Sequence, residues 1–344
     1  MILEDIDAPY VIAEIGANHN GDTALAVELM QSAKEAGANC VKFQSWTKDT
    51  IFSKAKYTDN YFLTDDYRDR SDYTLEQIVE KFSVSQRELL ELKSVADDLC
   101  IDFACTPFSY EEAQFLALNL DLPFMKIASM DVNNYPFLDF VARLGKPIIL
   151  STGLSSLAEI DRAVTVIEDA GNRALSILHC VAEYPPKDND TNLMNIRTLQ
   201  RCYPDYHVGF SDHSIGVCLP LASIAIGAKI IEKHFTLDKE MFGWDHKVSA
   251  TPEELKQICV DGARIVNALG SERIMTPESA ERKLEFRRSI VTSRPIKKGH
   301  VFTHEDLTFK RPGTGIKPEF VDFIVGRAAL KDIGEDELLD LNDF

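Results

Sequence analysis

Two histidines stand twenty-one positions apart, His213 in Gly-Phe-Ser-Asp-His-Ser and His234 in Ile-Ile-Glu-Lys-His-Phe-Thr, each closing a short apolar run of strand type. Neutral imidazoles are good ligands for a divalent transition metal, and two at the carboxyl ends of consecutive parallel strands converge on one face of a barrel. Closed structural zinc sites favour cysteine-rich sets at short spacing, so this pair reads as an open, catalytic site. Asp245 and His246 follow closely in Gly-Trp-Asp-His-Lys and extend the polar set. A lone histidine would read better as a satisfied core imidazole; recurrence at successive strand ends reverses that reading. His19 and His179 are lesser candidates, because each could simply hydrogen-bond near the site.

Lys42 and Lys126 lie inside strand-type runs, where burying an ammonium is costly without an anionic partner. Thr106, Ser129, Ser151 and Ser211 add hydroxyl donors at neighbouring strand ends. Lysines and hydroxyls together suit a phosphate or a carboxylate. The alternative is that the lysines pair with internal carboxylates such as Glu14. Gly313-Thr314-Gly315 lacks the following Lys-Ser/Thr of a phosphate-binding loop, and Lys297-Lys298 reads as a solvated turn.

These residues require strands to carry them to one face. Eight short runs alternate with helical-period segments from Tyr10 to Leu269: Tyr10 to Ile15, Cys40 to Gln44, Ile101 to Cys105, Phe124 to Ile127, Pro147 to Ser151, Ala174 to Leu178, His207 to Phe210 and Lys229 to Lys233. Between them, Thr23 to Ala36, Gln86 to Leu99, Ser156 to Ala170 and Pro252 to Leu269 repeat apolar residues every three or four positions. Eight such units match an α/β fold of the (β/α)8 TIM-barrel type, with active sites at the carboxyl ends of the strands. A doubly wound open sheet is the alternative, although no Gly-x-Gly-x-x-Gly follows the first strand.

The stretch Ser45 to Ser83 breaks this rhythm. It reads either as a functional insertion on the active face or as a solvated excursion. After residue 270 a charged linker over 271–286 leads to a small, mostly β unit over 287–344, so the chain divides into 1–270, 271–286 and 287–344.

Composition narrows the partners. A formal charge of -18 repels nucleic acid and acidic membranes, so neither is expected as a partner, and any anionic substrate must be gathered by a local cluster of cations. Seven scattered cysteines without a Cys-x-x-Cys pair, most of them in apolar runs, read as reduced core thiols of a cytoplasmic protein. The first residues lack the pattern of a secretory signal, and no apolar run approaches the roughly 20 residues that span a bilayer.

At this point several motifs converge. Glu14-Ile-Gly-Ala-Asn-His-Asn-Gly21, Val41-Lys-Phe-Gln44, Thr106-Pro-Phe-Ser109, Ser151-Thr-Gly153, Leu178-His-Cys180, Gly209-Phe-Ser-Asp-His213 and Lys233-His-Phe-Thr236 closely resemble the sialic acid synthases, the N-acetylneuraminate synthase family with its legionaminic and pseudaminic relatives. The tail, from Arg287-Arg-Ser-Ile290 to Lys310-Arg-Pro-Gly-Thr-Gly-Ile316, resembles the antifreeze-like (SAF) domain of that family. The resemblance implies condensation of phosphoenolpyruvate with an N-acetylated amino sugar aldehyde and water, giving a nonulosonic acid and phosphate by C–O cleavage. It implies a divalent metal, Mn2+ with Mg2+ or Co2+ as substitutes, on the positions of His213 and His234. It also implies a domain-swapped homodimer in which Arg311 reaches the partner's barrel.

Under that resemblance Glu14, His213, His234 and Asp245 are the expected catalytic residues. Lys42, Thr106, Lys126, Ser129, Ser151 and Ser211 would hold phosphoenolpyruvate, and Gln44, Asp131, Tyr184 and Arg311 would contact the sugar or keto acid. Asp131 stands where the family commonly has glutamate, and Ala182 where it has asparagine, which leaves the exact sugar open. A metal-dependent aldolase or sugar isomerase would share the strand-end ligands without consuming phosphoenolpyruvate. A non-catalytic carbohydrate- or ice-binding module would have no use for the lysines and paired histidines.

Overall fold

Period-two alternation along the eight strand runs sorts their side chains into two faces, and a sheet with two apolar faces must cover both. The computed structural model describes residues 8–59 and 74–344, and its strands close accordingly. β1 (Tyr10–Gly16), β2 (Cys40–Ser45), β3 (Asp102–Pro107), β4 (Met125–Ile127), β5 (Ile148–Ser151), β6 (Leu175–Cys180), β7 (His207–Asp212) and β8 (Ile230–His234) form a closed barrel in chain order. Every neighbouring pair is parallel, and β8 returns to β1 with Tyr10 opposite Ile230 and Glu14 opposite His234. The sequence-predicted TIM barrel is the observed fold.

The outward face, with Val11, Ala13, Val41, Phe103, Ile177 and Ile231, packs in one continuous core with helix residues such as Leu29, Leu92, Val141 and Ile258. The inward face carries a separate apolar plug of Tyr10, Ile12, Cys40, Ala104, Phe124, Ile149, Leu178 and Ile230. Two residues further along these strands the inward positions become Glu14, Lys42, Thr106, Lys126, Ser151 and Glu232, all buried. Gly209 is required where β7 and β8 pack closest, because a Cβ there would lie 2.3 Å from the Ile230 carbonyl oxygen.

The surrounding helices begin where the sequence supplies caps. Ser85 with Glu88, Ser156 with Glu159 and Thr251 with Glu254 form capping boxes that satisfy free N–H groups at the helix starts. Helices Thr23–Ala36 and Pro252–Leu269 fall on the segments that periodicity predicts.

Of the stretch Ser45 to Ser83, residues 60–73 lie outside the described residues. Its flanks are not a solvated excursion. The helix Leu75–Phe82 buries Leu75, Ile78, Val79 and Phe82 with Ala17 and Trp46, and the Trp46 indole donates to the Val79 carbonyl over 3.2 Å. Among the described residues no helix is long and apolar enough to cross a membrane.

The chain divides into two compact units, Met1–Gly270 and Ser271–Phe344, so the sequence-predicted linker 271–286 groups with the C-terminal unit. Within it, the helix Ala280–Phe286 is tied in by the Gly313 N–H, which donates to the Leu284 carbonyl over 2.6 Å. β9 (Ser289–Thr292) and β10 (Leu307–Lys310) pair antiparallel. A small core of Ile290, Ile296, Phe302, Ile324, Ile333 and Leu339 packs beside them.

Asp306 organises this unit. Its carboxylate accepts from the Thr303 N–H and hydroxyl, His300 and Arg294, and its side chain is fully buried. Burial acts to raise its pKa, but those hydrogen bonds outweigh it and hold the carboxyl well below the carboxylate range. A depressed folded pKa adds stability that is complete above the unfolded value of about 3.9 and is lost as pH falls through the folded one. Asp306→Ala is expected to cost about 1.5–3 kcal/mol near neutral pH, with the more exposed Arg294 adding little. The difference from wild type should shrink below about pH 4. Hydrogen exchange at the Thr303 amide measures it, and equal protection in both proteins at neutral pH would refute the role.

Candidate active site

The site grows out of the layer above the apolar plug. Glu14 Oε2 meets Lys42 Nζ at 2.6 Å, and Lys42 also donates to the Thr106 hydroxyl at 3.1 Å. Lys126 donates to the Ser151 hydroxyl at 2.8 Å. Glu232 bridges the two ammoniums, 3.7 Å from Lys42 and 3.5 Å from Lys126, and accepts from the Ser211 hydroxyl at 3.1 Å. Gln44 donates to Glu14 Oε1 at 2.6 Å. The lysines therefore do pair with internal carboxylates, as the alternative reading allowed. They also line a cavity, so the pairing holds them ready beside open space.

That cavity has a volume of about 190 Å³ and is lined by Glu14, Lys42, Gln44, Thr106, Lys126, Ser129, Ser151, Tyr184, Ser211, His213 and His234, together with Glu232. Ser129 is fixed by the Gly153 N–H, which donates to its hydroxyl at 3.0 Å. Three sequence-predicted residues are not among its lining side chains. Asp131 lies in the turn Ser129–Asp131, where burial raises its carboxyl against a hydrogen bond from Asn134. Asp245 stands behind His234, with 3.8 Å between its Oδ2 and the histidine Nδ1. Arg311 belongs to the C-terminal unit, where its guanidinium lies 5.5 Å from the centre of the Phe286 ring.

Buried charge shifts these groups in different directions. Burial pushes the Glu14 carboxyl up to about 7 against the pull of Lys42. Burial raises Asp245 to about 6, opposed by His213 and Lys42. Burial also draws the Lys126 ammonium below its ordinary value despite Glu232. It acts on Lys42 in the same sense, but Glu14 and Glu232 outweigh it and leave that ammonium above its ordinary value. Neighbouring carboxyls and ammoniums with displaced pKa values in one cavity are the arrangement expected of a reaction centre.

At the top of the layer the two predicted ligands meet. The His213 and His234 rings lie 5.5 Å apart, centre to centre, and Tyr184 stacks on His213 at 4.0 Å. His213 Nδ1 bonds the Val181 carbonyl at 2.7 Å, which assigns a proton to that nitrogen, and against burial Cys180 and this carbonyl raise the ring's pKa above its ordinary value. His234 Nδ1 is buried without a hydrogen-bond partner. Burial and the nearby positive charges hold the His234 pKa far below its ordinary value, so the ring is the neutral species a metal needs.

Among the described residues no group of three or more His, Cys, Asp or Glu closes around one point. The donor set thus fits an ion held at two imidazoles with open positions, and not a closed structural centre. His19 and His179 each commit one ring nitrogen elsewhere: His19 Nδ1 accepts from the Gly21 N–H at 3.0 Å, with its Nε2 buried and without a hydrogen-bond partner, and His179 Nε2 bonds the Thr191 carbonyl at 2.6 Å.

Sequence reasoning missed Glu232. The signal was present, because Glu232 lies two residues before His234 and must share its face of β8.

Comparisons with known proteins bear on this arrangement. A family model described as the NeuB family matches residues 29–274, and one described as the SAF domain matches residues 287–344. The N,N'-diacetyllegionaminic acid synthase of Campylobacter jejuni is 40% identical over 96% of this chain and 98% of its own length. A pseudaminic acid synthase of the same species is 33% identical over 97% of this chain and 96% of its own. The crystal structure of an N-acetylneuraminic acid synthetase from Leptospira borgpetersenii, in complex with citrate, superposes with a TM-score of 0.70. It is 33% identical and covers 80% of this chain and 90% of that one.

Proposed function

The chain belongs to the NeuB family, and we propose that it joins phosphoenolpyruvate to the aldehyde of an open-chain N-acetylated amino sugar. It is a synthase of nonulosonic, sialic-type acids. In the proposed reaction the methylene carbon of phosphoenolpyruvate forms a C–C bond to the aldehyde carbon, whose oxygen takes up a proton. Water adds at the second carbon of the enol, and the C–O bond to phosphate breaks. A 2-keto acid and inorganic phosphate leave, and atoms balance without a redox partner.

The observation that supports this most is the pair of buried lysines, each with a hydroxyl partner, lining one cavity with the His213 and His234 imidazoles. Lys42 and Lys126, with Thr106, Ser129, Ser151 and Ser211, are the donors for the phosphate and carboxylate of phosphoenolpyruvate. A divalent ion, Mn2+ by preference, would be held by His213 and His234, and when bound supplies Lewis-acid polarisation of the aldehyde oxygen. Glu14, buried and pushed up to about 7, would exchange a proton with the added water or offset positive charge at the second carbon. Gln44 and Tyr184 would orient the sugar, with Asp245 and Asp131 at its periphery. Arg311 would act in a domain-swapped homodimer, reaching the sugar from a second copy of the chain.

The test is phosphate release by the full-length protein with Mn2+, phosphoenolpyruvate and a panel of N-acetylated amino sugars, with mass spectrometry of the product. Release that needs both substrates, and label from the bridging oxygen of phosphoenolpyruvate appearing in phosphate, is expected. Sugar turnover without phosphoenolpyruvate would instead establish an aldolase or isomerase.

A further inference from the structure

The loop that carries Asp245 leaves β8 after His234 and comes back beside it, where the Ala250 N–H donates to the His234 carbonyl at 2.7 Å and the Thr236 N–H to the Ala250 carbonyl at 3.0 Å. Its base is therefore fixed. A metal-ligating imidazole commonly gives its second N–H to a carboxylate, which sets the orientation of the ring. Asp245 Oδ2, at 3.8 Å from His234 Nδ1, stands somewhat beyond hydrogen-bond length. A small shift of the loop thus decides whether that contact closes.

The far part of the loop is held from the turn after β1. Asn18 donates to the Phe235 carbonyl and to the Ser249 hydroxyl, both at 2.8 Å, and Ser249 in turn donates to the Asp245 carbonyl at 2.6 Å. The residue next to Asp245 makes the second tie. His246 Nε2 donates to Asn20 Oδ1 at 3.2 Å, and its Nδ1 bonds the Thr236 hydroxyl at 2.7 Å. The imidazole is fully buried, and Gly243 packs over it so closely that a Cβ there would lie 2.5 Å from the ring and 2.9 Å from Asn20 Oδ1. With both nitrogens bonded and no room to shift, the ring links the β1 turn, the end of β8 and the Asp245 loop. Neither His246 nor Asn20 lines the reaction cavity.

We propose that His246 is a positioning residue: its bond to Asn20 sets how closely the Asp245 carboxylate approaches His234, and so how well His234 is oriented to hold a divalent ion. His246 acts through Asp245 and belongs to no ligand set itself. The inference rests on the reading of His213 and His234 as the ligands of that ion, and its kinetic part rests also on the condensation reaction. Groups behind a metal ligand that fix its ring are as much a part of the affinity as the ligand's own lone pair.

The experiment titrates Mn2+ into the full-length protein by calorimetry and follows phosphate release from phosphoenolpyruvate with an N-acetylated amino sugar. His246→Leu keeps the bulk without the bonds, and is expected to weaken Mn2+ binding by about tenfold or more. Its kcat should fall in parallel while the KM for phosphoenolpyruvate stays near wild type, because Lys42 and Lys126 are untouched. His246→Gln returns a donor toward Asn20 and should recover most of both losses. Asn20→Gly removes the acceptor at a backbone φ of 51° that suits glycine, so it should reproduce the loss and decides the matter where His246→Leu does not fold. In an Asp245→Asn background, His246→Leu should weaken Mn2+ binding no further, since the group it positions is already changed. Wild-type Mn2+ affinity in both His246→Leu and Asn20→Gly, no recovery in His246→Gln, or a fully additive loss in the double variant overturns the positioning role. Wild type that binds Mn2+ but releases no phosphate with any sugar removes the condensation reading, and the titrations still decide this one.

Discussion

His234→Ala is expected to cut phosphate release by about a thousandfold or more, which corresponds to about 4 kcal/mol of lost transition-state stabilisation, while the barrel stays folded. The side chain is 7% exposed, and its Nδ1 makes no hydrogen bond in the protein. Removing the ring therefore orphans no partner, and the stability cost is that of one truncated, buried ring. Its loss should instead appear in the binding of a divalent ion. Titration calorimetry with Mn2+ or Co2+ is expected to show affinity falling by about 10- to 100-fold or more, the scale seen when even supporting groups of a metal site are removed. The KM for phosphoenolpyruvate should change little, because Lys42 and Lys126 are untouched. If the variant keeps the wild-type ion affinity and the wild-type rate, His234 is a packing residue and the proposed chemistry loses its activator.

Much of this site was legible because a barrel strand has a fixed period of two and a defined active end. Those two facts alone bring Glu14, Lys42, Lys126, Ser151, Ser211, His213 and His234 to one mouth, and all of them line the same cavity. Glu232 lies two residues inside the end of β8, and only its parity with His234 marks it as sharing the same face. Pairing was less accessible. That Glu232 sits between two lysines depends on side chains from β2, β4 and β8, no two of them neighbours in the sheet, converging inside the barrel, a relation that no local pattern encodes. The same holds for the bond from His213 to the Val181 carbonyl, which joins residues thirty-two apart. Asp131 and Asp245 show the opposite limit: motif position put them near the site, but loop geometry keeps both out of the cavity wall. The packed helix Leu75–Phe82 was hidden by the polar composition around it, although its four apolar residues fall at helical spacing.

A second large effect is expected behind the site, where Lys233 and Asp212 form an ion pair at 2.6 Å with both side chains fully buried. They lie on the outward faces of β8 and β7, directly opposite each other in register, and each adjoins one of the two imidazoles. Lys233 also donates to the Ser214 carbonyl, and Asp212 Oδ1 accepts from the Ser214 N–H at 2.9 Å. Lys233→Met leaves the Asp212 carboxylate buried and uncompensated, at a cost of about 3–5 kcal/mol. In the double variant Asp212→Asn, Lys233→Met no charge is stranded and the acceptor for Ser214 remains. Because neutral replacements of a buried pair are often nearly neutral in stability, the double variant should recover most of the loss in urea unfolding. Ion affinity need not recover with it. The pair fixes the spacing of the strand ends that carry His213 and His234, so the double variant should still bind Mn2+ about tenfold more weakly. Equal instability of the single and double variants would show that Asp212 and Lys233 are not energetically coupled. Full stability combined with wild-type ion affinity in the double variant would show that the pair does not position the imidazoles.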